Sequence, residues 1–185
     1  MSKITNIAIV GLGQVGIYLY NELNIKQKEI ENKTGKKIQI VAISAKNKNK
    51  KRRFKIDKNL FYSNPLDIIK NKKIDILFES IGQSDGISKK IVEIALKKKI
   101  HVITPNKTLI AKHGDHLAVL AEKNNVNLEF EASVAGGIPI LRTIKEGLAT
   151  NKLNKVYGIL NGTTNYILSE MEKSGDTFNK VLKKA

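Results

Sequence analysis

Cysteine and tryptophan are both absent from this 185-residue chain, and proline occurs only three times. Without cysteine there can be no disulfide and no thiolate zinc site. Arginine is confined to Arg52, Arg53 and Arg142, and aromatic residues make up 5% of the chain. No run approaches the ~20 apolar residues that a membrane-spanning helix needs. The opening Met1-Ser2-Lys3-Ile4-Thr5-Asn6 lacks the long apolar core of a secretory signal. A cytoplasmic protein, without a membrane partner, is the expectation.

The net charge of +16 invites a nucleic-acid reading. Nucleic-acid readers draw on arginine forks and stacking aromatics, both scarce here. Thirty lysines stand beside many asparagines and isoleucines, a pattern that AT-rich codon usage produces at ordinary surface positions. That leaves only charge steering, and no nucleic-acid partner is expected. A hydrophobic content of 41% over this length supports one good core and the beginning of a second.

The chain is organised around Ile7-Ala8-Ile9-Val10-Gly11-Leu12-Gly13-Gln14-Val15-Gly16. The apolar run reads as a buried strand, and a helical pattern follows the glycines. Gly11 would permit the tight turn, Gly13 a close backbone approach to a pyrophosphate, and Gly16 close packing of helix on strand. The N–H groups at the helix start would face the phosphates. On spacing alone, a plain strand-to-helix turn is the competing explanation.

Val15, Tyr18, Leu19 and Leu23 recur at helical spacing, and the helix is expected to continue through Ile30 to a cap at Gly35. Ile38–Ile43 reads as the second strand. Its end carries no acidic residue for a ribose 2′-hydroxyl, but Ser44-Ala45-Lys46-Asn47-Lys48-Asn49-Lys50-Lys51-Arg52-Arg53. The lysines and arginines of this stretch, Lys46, Arg52 and Arg53 foremost, could hold a 2′-phosphate, which favours NADP over NAD; a solvated basic loop is the alternative. Asn64-Pro65 marks a helix start. Ile74–Phe78 reads as a strand, Glu79-Ser80-Ile81-Gly82 as the loop at its end, and Ile87, Ile91, Ile94 and Ala95 as a helix face. Strand His101–Ile103 leads to Thr104-Pro105-Asn106-Lys107, and a helix carrying Leu117, Leu120 and Ala121 precedes a strand over Asn127–Glu131.

Strands and helices thus alternate, the pattern of a doubly wound parallel sheet of Rossmann type. Ligands in such folds sit at the carboxyl ends of strands. The Gly11, Ser80–Gly82 and Pro105–Lys107 loops should therefore share one edge. Beyond the sheet come the glycine-rich Ala132–Pro139, an amphipathic helix to about Leu148 and a strand over Val156–Leu160. That strand would end in Asn161-Gly162-Thr163-Thr164-Asn165. This polar cluster suits a small polar substrate, or equally a helix N-cap served by Thr163 or Thr164.

The glycine loop, Thr104-Pro105-Asn106-Lys107, Glu131-Ala132-Ser133-Val134-Ala135-Gly136-Gly137-Ile138-Pro139 and Asn161-Gly162-Thr163-Thr164-Asn165-Tyr166-Ile167-Leu168, in this order and at these separations, closely resemble homoserine dehydrogenase. The similarity extends over essentially the whole chain, and the last two stretches are the most specific. The resemblance implies an NAD(P)-dependent oxidoreductase that interconverts L-homoserine and L-aspartate 4-semialdehyde in threonine, methionine and isoleucine biosynthesis. It places the dinucleotide on Gly11, Leu12, Gly13, Gln14, Val15 and Gly16, with Ser80, Ile81 and Gly82 at the next strand end. Lys107 becomes the catalytic lysine beside nicotinamide and substrate, able to orient the reacting oxygen and, if desolvated, to join in proton transfer. Glu131, Val134, Gly136 and Ile138 match positions whose oxygens hold a sodium ion, and Asn161, Gly162, Thr163 and Thr164 would line the substrate pocket.

The family continues into an acidic segment with a second catalytic lysine and substrate-binding carboxylates, which this sequence does not contain. Phe178, Val181 and Leu182 form an apolar helical face with nothing after it in the sequence to cover it. The expected organisation is a dinucleotide-binding domain over 1–132 and an incomplete α+β substrate and dimerisation domain over 133–185. The chain reads as a truncated homoserine dehydrogenase (an incomplete gene, a split protein or a shortened paralogue), dimeric if the remainder is present. A non-catalytic dinucleotide-binding fragment is the alternative.

Overall fold

The computed structural model describes residues 3–159 and 161–185, which divide into two compact units at the Ser133–Val134 junction. The first unit runs β1 (Lys3–Val10), α1 (Gln14–Ile25), α2 (Gln27–Thr34), β2 (Lys36–Ser44), β3 (Phe61–Tyr62), α3 (Pro65–Asn71), β4 (Ile76–Glu79), α4 (Ile87–Lys97), β5 (His101–Ile103), α5 (Lys107–Lys123) and β6 (Leu128–Glu129). Every strand pair is parallel, and the order across the sheet is β3-β2-β1-β4-β5-β6. The chain starts in the middle, works out to β3 and returns to build the other flank. The expected Rossmann-type sheet is therefore what the chain forms. Its strand order reverses between β1 and β4, where a crevice opens at the carboxyl ends.

Successive strand residues point to opposite faces, and both faces here are buried, hence the apolar runs. Ile7, Ile9, Ile43 and Phe78 pack with Ile17 and Tyr20 of α1. Ala8, Val10, Leu77 and Val102 pack on the other face with Ile91 and Leu96 of α4 and with Leu109 and Leu117 of α5. Asn64 caps α3 by accepting from the Leu66 N–H at 3.1 Å, with Pro65 at the first helical position.

Several expectations change. The long first helix is two, broken at Lys26, whose backbone caps one helix and starts the next; Gly35 ends the second in a left-handed conformation. Glu79 is the last residue of β4 rather than part of a loop, and it pairs in register with Val10. Only Leu128–Glu129 of the expected 127–131 strand pairs with the sheet, and Glu131 begins a 3-10 turn. The edge strand β3 has no signal in the sequence, since two residues carry no readable period.

In the second unit, α6 (Ile140–Arg142) runs into a π-helical turn, Thr143–Gly147, in place of one regular amphipathic helix. No strand forms over Val156–Ile159, and Leu160 lies outside the described residues. Val156 and Ile159 are exposed, so the apolar run has no sheet to bury it. Among the described residues this unit contains no strand. Helix α7 (Gly162–Ser174) packs against α8 (Phe178–Leu182); Ile167 and Val181 are buried, whereas Phe178 and Leu182 are largely exposed. No helix among the described residues is long and apolar enough to cross a membrane.

Candidate functional site

The turn after β1 is set by steric room. Gly11 has φ +94°, and a Cβ there would run into the Ser80 carbonyl. A Cβ on Gly16 would collide with the Gly11 carbonyl and lie 2.8 Å from Ser80 Oγ. Both glycines are therefore demanded by packing of the first helix and the β4 loop. Gly13 differs, because a Cβ there meets nothing within 4 Å. Its bare backbone faces open space at the N-terminus of α1, which has no side-chain cap. The turn is tied down on both sides. The Gly11 N–H donates to the Ser44 carbonyl at 2.8 Å, the Ser80 N–H to the Val10 carbonyl at 2.7 Å, and Ser80 Oγ to the Gly11 carbonyl at 2.8 Å.

A cleft of about 990 Å³ opens over this turn. Its walls include Gly11, Leu12, Gly13, Ser80 and Ile81, the basic loop residues Lys46 and Arg52, and Pro65 at the start of α3. Lys48 and Lys50 of the same basic stretch also line it, as do Asn47, Ser63, Gln83 and Ile87, which the sequence does not single out as ligands. Their signal was positional: each follows a strand's carboxyl end or opens a helix, but β3 itself was invisible. Open backbone at a helix start, flanked by lysines, suits a phosphorylated dinucleotide.

The basic residues divide by placement. Arg52 donates to the carbonyls of Asn47 at 2.7 Å, Lys50 at 3.0 Å and Lys48 at 3.4 Å, so its guanidinium folds the loop around itself. Its Nε is buried with no hydrogen-bond partner among the described residues. Arg53 instead stacks over Phe54, 5.4 Å from the ring centroid. It lines a separate cavity of about 730 Å³ on the flank of α1, together with Gln14, Val15, Tyr18, Pro105 and Ala132. Gln14 and Val15 are thus outside the cleft's lining, although they form the first turn above it.

The β4 and β5 ends meet as expected. Asn106 caps α5, its Oδ1 accepting from the Leu109 N–H at 3.1 Å, and its Nδ2 donates to the Gln83 carbonyl at 2.8 Å. Lys107, the next residue, is exposed and does not line the cleft. Gly82 has φ +87° and turns the chain beside Ile81. Asp85, farther along the same loop, accepts from Lys112 at 2.7 Å and from Ser84 at 2.8 Å, and lies 2.9 Å from His113 Nε2. The hydrogen bond from Lys112, then those from His113 and Ser84, hold its carboxyl well below the usual aspartate range.

In the second unit Asn161, not Thr163 or Thr164, is the N-cap of α7. Its Oδ1 accepts from the Thr164 N–H at 2.9 Å, and Thr164 Oγ1 donates to the Asn161 carbonyl at 3.1 Å. Gly162 has open space where a Cβ would be, and all four residues are exposed. Val134, Gly136 and Ile138 lie in a turn containing Ala135 at φ +49° and Gly137 at φ +88°. The Ile138 carbonyl accepts from the Ile140 N–H at 2.8 Å. No cluster of three metal-ligating side chains occurs among the described residues.

The NAD-binding domain profile of homoserine dehydrogenase matches residues 11–131, and the homoserine dehydrogenase profile matches 139–185. The homoserine dehydrogenase of Neisseria gonorrhoeae is 40% identical over 183 residues, 99% of this chain and 42% of its own length. The crystal structure of the enzyme from Thiobacillus denitrificans superposes with a TM-score of 0.81 at 36% identity, covering 99% of this chain and 42% of that one. A hyperthermophilic archaeal homoserine dehydrogenase in complex with NADPH superposes at 0.75 over 98% of this chain and 60% of its own, and at 23% identity it shows the fold alone. The chain spans about 42% of the length of the bacterial relatives it matches. With its glycine turn, its β4 and β5 edge loops and its Asn-Gly-Thr-Thr helix start all inside these matches, the chain belongs to the homoserine dehydrogenase family.

Proposed function

We propose that this chain supplies the dinucleotide-binding half, and part of the substrate half, of an oxidoreductase interconverting L-homoserine and L-aspartate 4-semialdehyde with NADP. The cleft over the glycine turn carries this reading, because a lysine-lined wall faces bare helix-start backbone. A bound nicotinamide dinucleotide supplies the hydride donor or acceptor for carbon 4 of the substrate. The backbone of Gly11–Gly16 would hold the pyrophosphate, with Ser80, Ile81 and Gly82 bordering the nicotinamide half. Lys46 and its neighbours would meet the 2′-phosphate; with them removed, NAD would serve equally.

Lys107 would orient the reacting oxygen and hand on its proton, and Asn161, Gly162, Thr163 and Thr164 would bind the amino acid. Residues 1–132 would do the cofactor's work and 133–185 the substrate's. The oxygens of Glu131, Val134, Gly136 and Ile138 suit a hard cation such as sodium. A cytoplasmic, dimeric biosynthetic enzyme is the natural setting for this chemistry.

The test is homoserine-dependent NADPH formation by the 185-residue chain, repeated with Lys107→Ala. Turnover abolished by the substitution supports the enzyme reading. Turnover unaffected by it removes Lys107 from the chemistry. NADPH binding without turnover leaves a dinucleotide-binding fragment.

A further inference from the structure

The most deeply buried acidic side chain of the described residues has no part in the function above. Glu79 is 0% exposed, at the carboxyl end of β4, where the sheet's strand order reverses. A carboxylate taken wholly out of water is costly unless hydrogen bonds satisfy its oxygens. Glu79 is satisfied from three separate segments. Its Oε1 accepts from the Ile81 N–H at 2.8 Å and from Ser88 Oγ at 2.5 Å, and its Oε2 accepts from Thr104 Oγ1 at 2.7 Å. The donors come from the β4 loop, the first turns of α4 and the β5 loop. Ser88 and Thr104 are themselves 0% and 1% exposed.

The network continues to the start of α5. An amide has two N–H donors. The shortest partners of Asn106 Nδ2 are the Gln83 carbonyl at 2.8 Å and Ser88 Oγ at 3.1 Å, with Glu79 at 3.4 Å. Ser88 thus passes the carboxylate's hold on to Asn106, whose Oδ1 caps α5 directly before Lys107. Thr104 Oγ1 donates to Glu79 and accepts from the Asn106 N–H at 3.0 Å, closing the ring. One carboxylate therefore holds both the Ile81 backbone and the cap that directly precedes Lys107.

We infer that Glu79 is a positioning residue: it clamps the Ser80–Gly82 and Thr104–Lys107 loops together and so sets the nicotinamide side of the cofactor site. The inference rests on the reading of those loops as the nicotinamide border. Its specificity comes from place. Among the described residues the carboxylate joins the β4 and β5 loops and α4, whereas the wall for the adenosine half is the basic loop after β2 and carries none of its partners. A positioning role therefore affects one end of the cofactor, and a merely structural role affects both.

The test compares NADPH with adenosine 2′,5′-bisphosphate, which lacks the nicotinamide half, by titration of the 185-residue chain. Glu79→Gln keeps the shape but turns an acceptor toward a donor, and Thr104→Val deletes one donor at similar volume. Glu79→Gln should weaken NADPH about tenfold, the effect of one buried group left without its partner. The bisphosphate should change by less than about twofold. Thr104→Val should move NADPH in the same direction, and Thr104→Ser, which keeps the hydroxyl, should restore it. Equal loss of both ligands, or loss of neither, overturns the inference. If Glu79→Gln does not fold, the Thr104→Val and Thr104→Ser pair decides by the same criterion. A wild-type chain that binds neither ligand overturns the dinucleotide reading itself, and this inference with it.

Discussion

Gly16 sits so close to the carbonyl of Gly11 that a single added methyl would overlap it. Helix α1 can leave the strand at this angle only because position 16 has no side chain. Gly13, three residues earlier, has open space where a Cβ would be. Two glycines of one motif thus serve different ends, one the fold and the other the cleft.

Gly16→Ala should cost about 1–3 kcal/mol, since the colliding atom is backbone and cannot swing away. Gly13→Ala should leave the unfolding midpoint nearly unchanged and weaken NADPH binding at least about tenfold. Urea denaturation and NADPH titration of the two variants separate these effects. A large stability loss for Gly13→Ala would contradict the assignment.

The basic loop makes a graded prediction. Lys46→Ser should weaken NADP about tenfold and spare NAD, the size of one charge-assisted hydrogen bond. Arg53→Ser should change neither, because Arg53 stacks on Phe54 beside the other cavity. Arg52→Ser should weaken NADP as well, by releasing the loop that its guanidinium holds to three carbonyls. Equal loss of NAD and NADP from Lys46→Ser would remove the 2′-phosphate from this loop.

Asp85 makes one contribution to the pH dependence. Its folded pKa is depressed, chiefly by the hydrogen bond from Lys112. The stabilisation is therefore present above the unfolded aspartate pKa of about 3.9 and is lost as pH falls through the lower folded value. The difference in Tm between wild type and Asp85→Asn should be constant near neutrality and shrink below about pH 4. Lys112→Ala should raise the midpoint of the Asp85 carboxyl titration followed by NMR; an unmoved midpoint would show that Lys112 does not hold it.

Leu117→Ala tests the layer that α5 contributes. The side chain is 0% exposed within the core beneath α4 and α5. Its truncation should cost about 2–5 kcal/mol, read as a lower denaturation midpoint at an unchanged slope. NADPH affinity at full folding should stay the same, since no wall of the cleft includes Leu117.

The double winding of the sheet and the meeting of three loops at one edge follow from the sequence by itself, whereas the strand order, with its short edge strand β3, came from the structure. Apolar runs buried on both faces and helices of readable period leave few ways to arrange the chain. The Asn64-Pro65 helix start and the Gly35 cap were equally legible, because capping is decided within a few residues. Tertiary structure alone decided what depends on partners far along the chain. Glu79 reads as an ordinary loop acid until Ser88 and Thr104 are folded over it, nine and 25 residues away. Arg52 reads as a phosphate ligand until its own loop closes around it. The Val156–Leu160 run has a strand's composition, yet a strand needs a neighbour to bond with, and Val156–Ile159 have none among the described residues of their own unit.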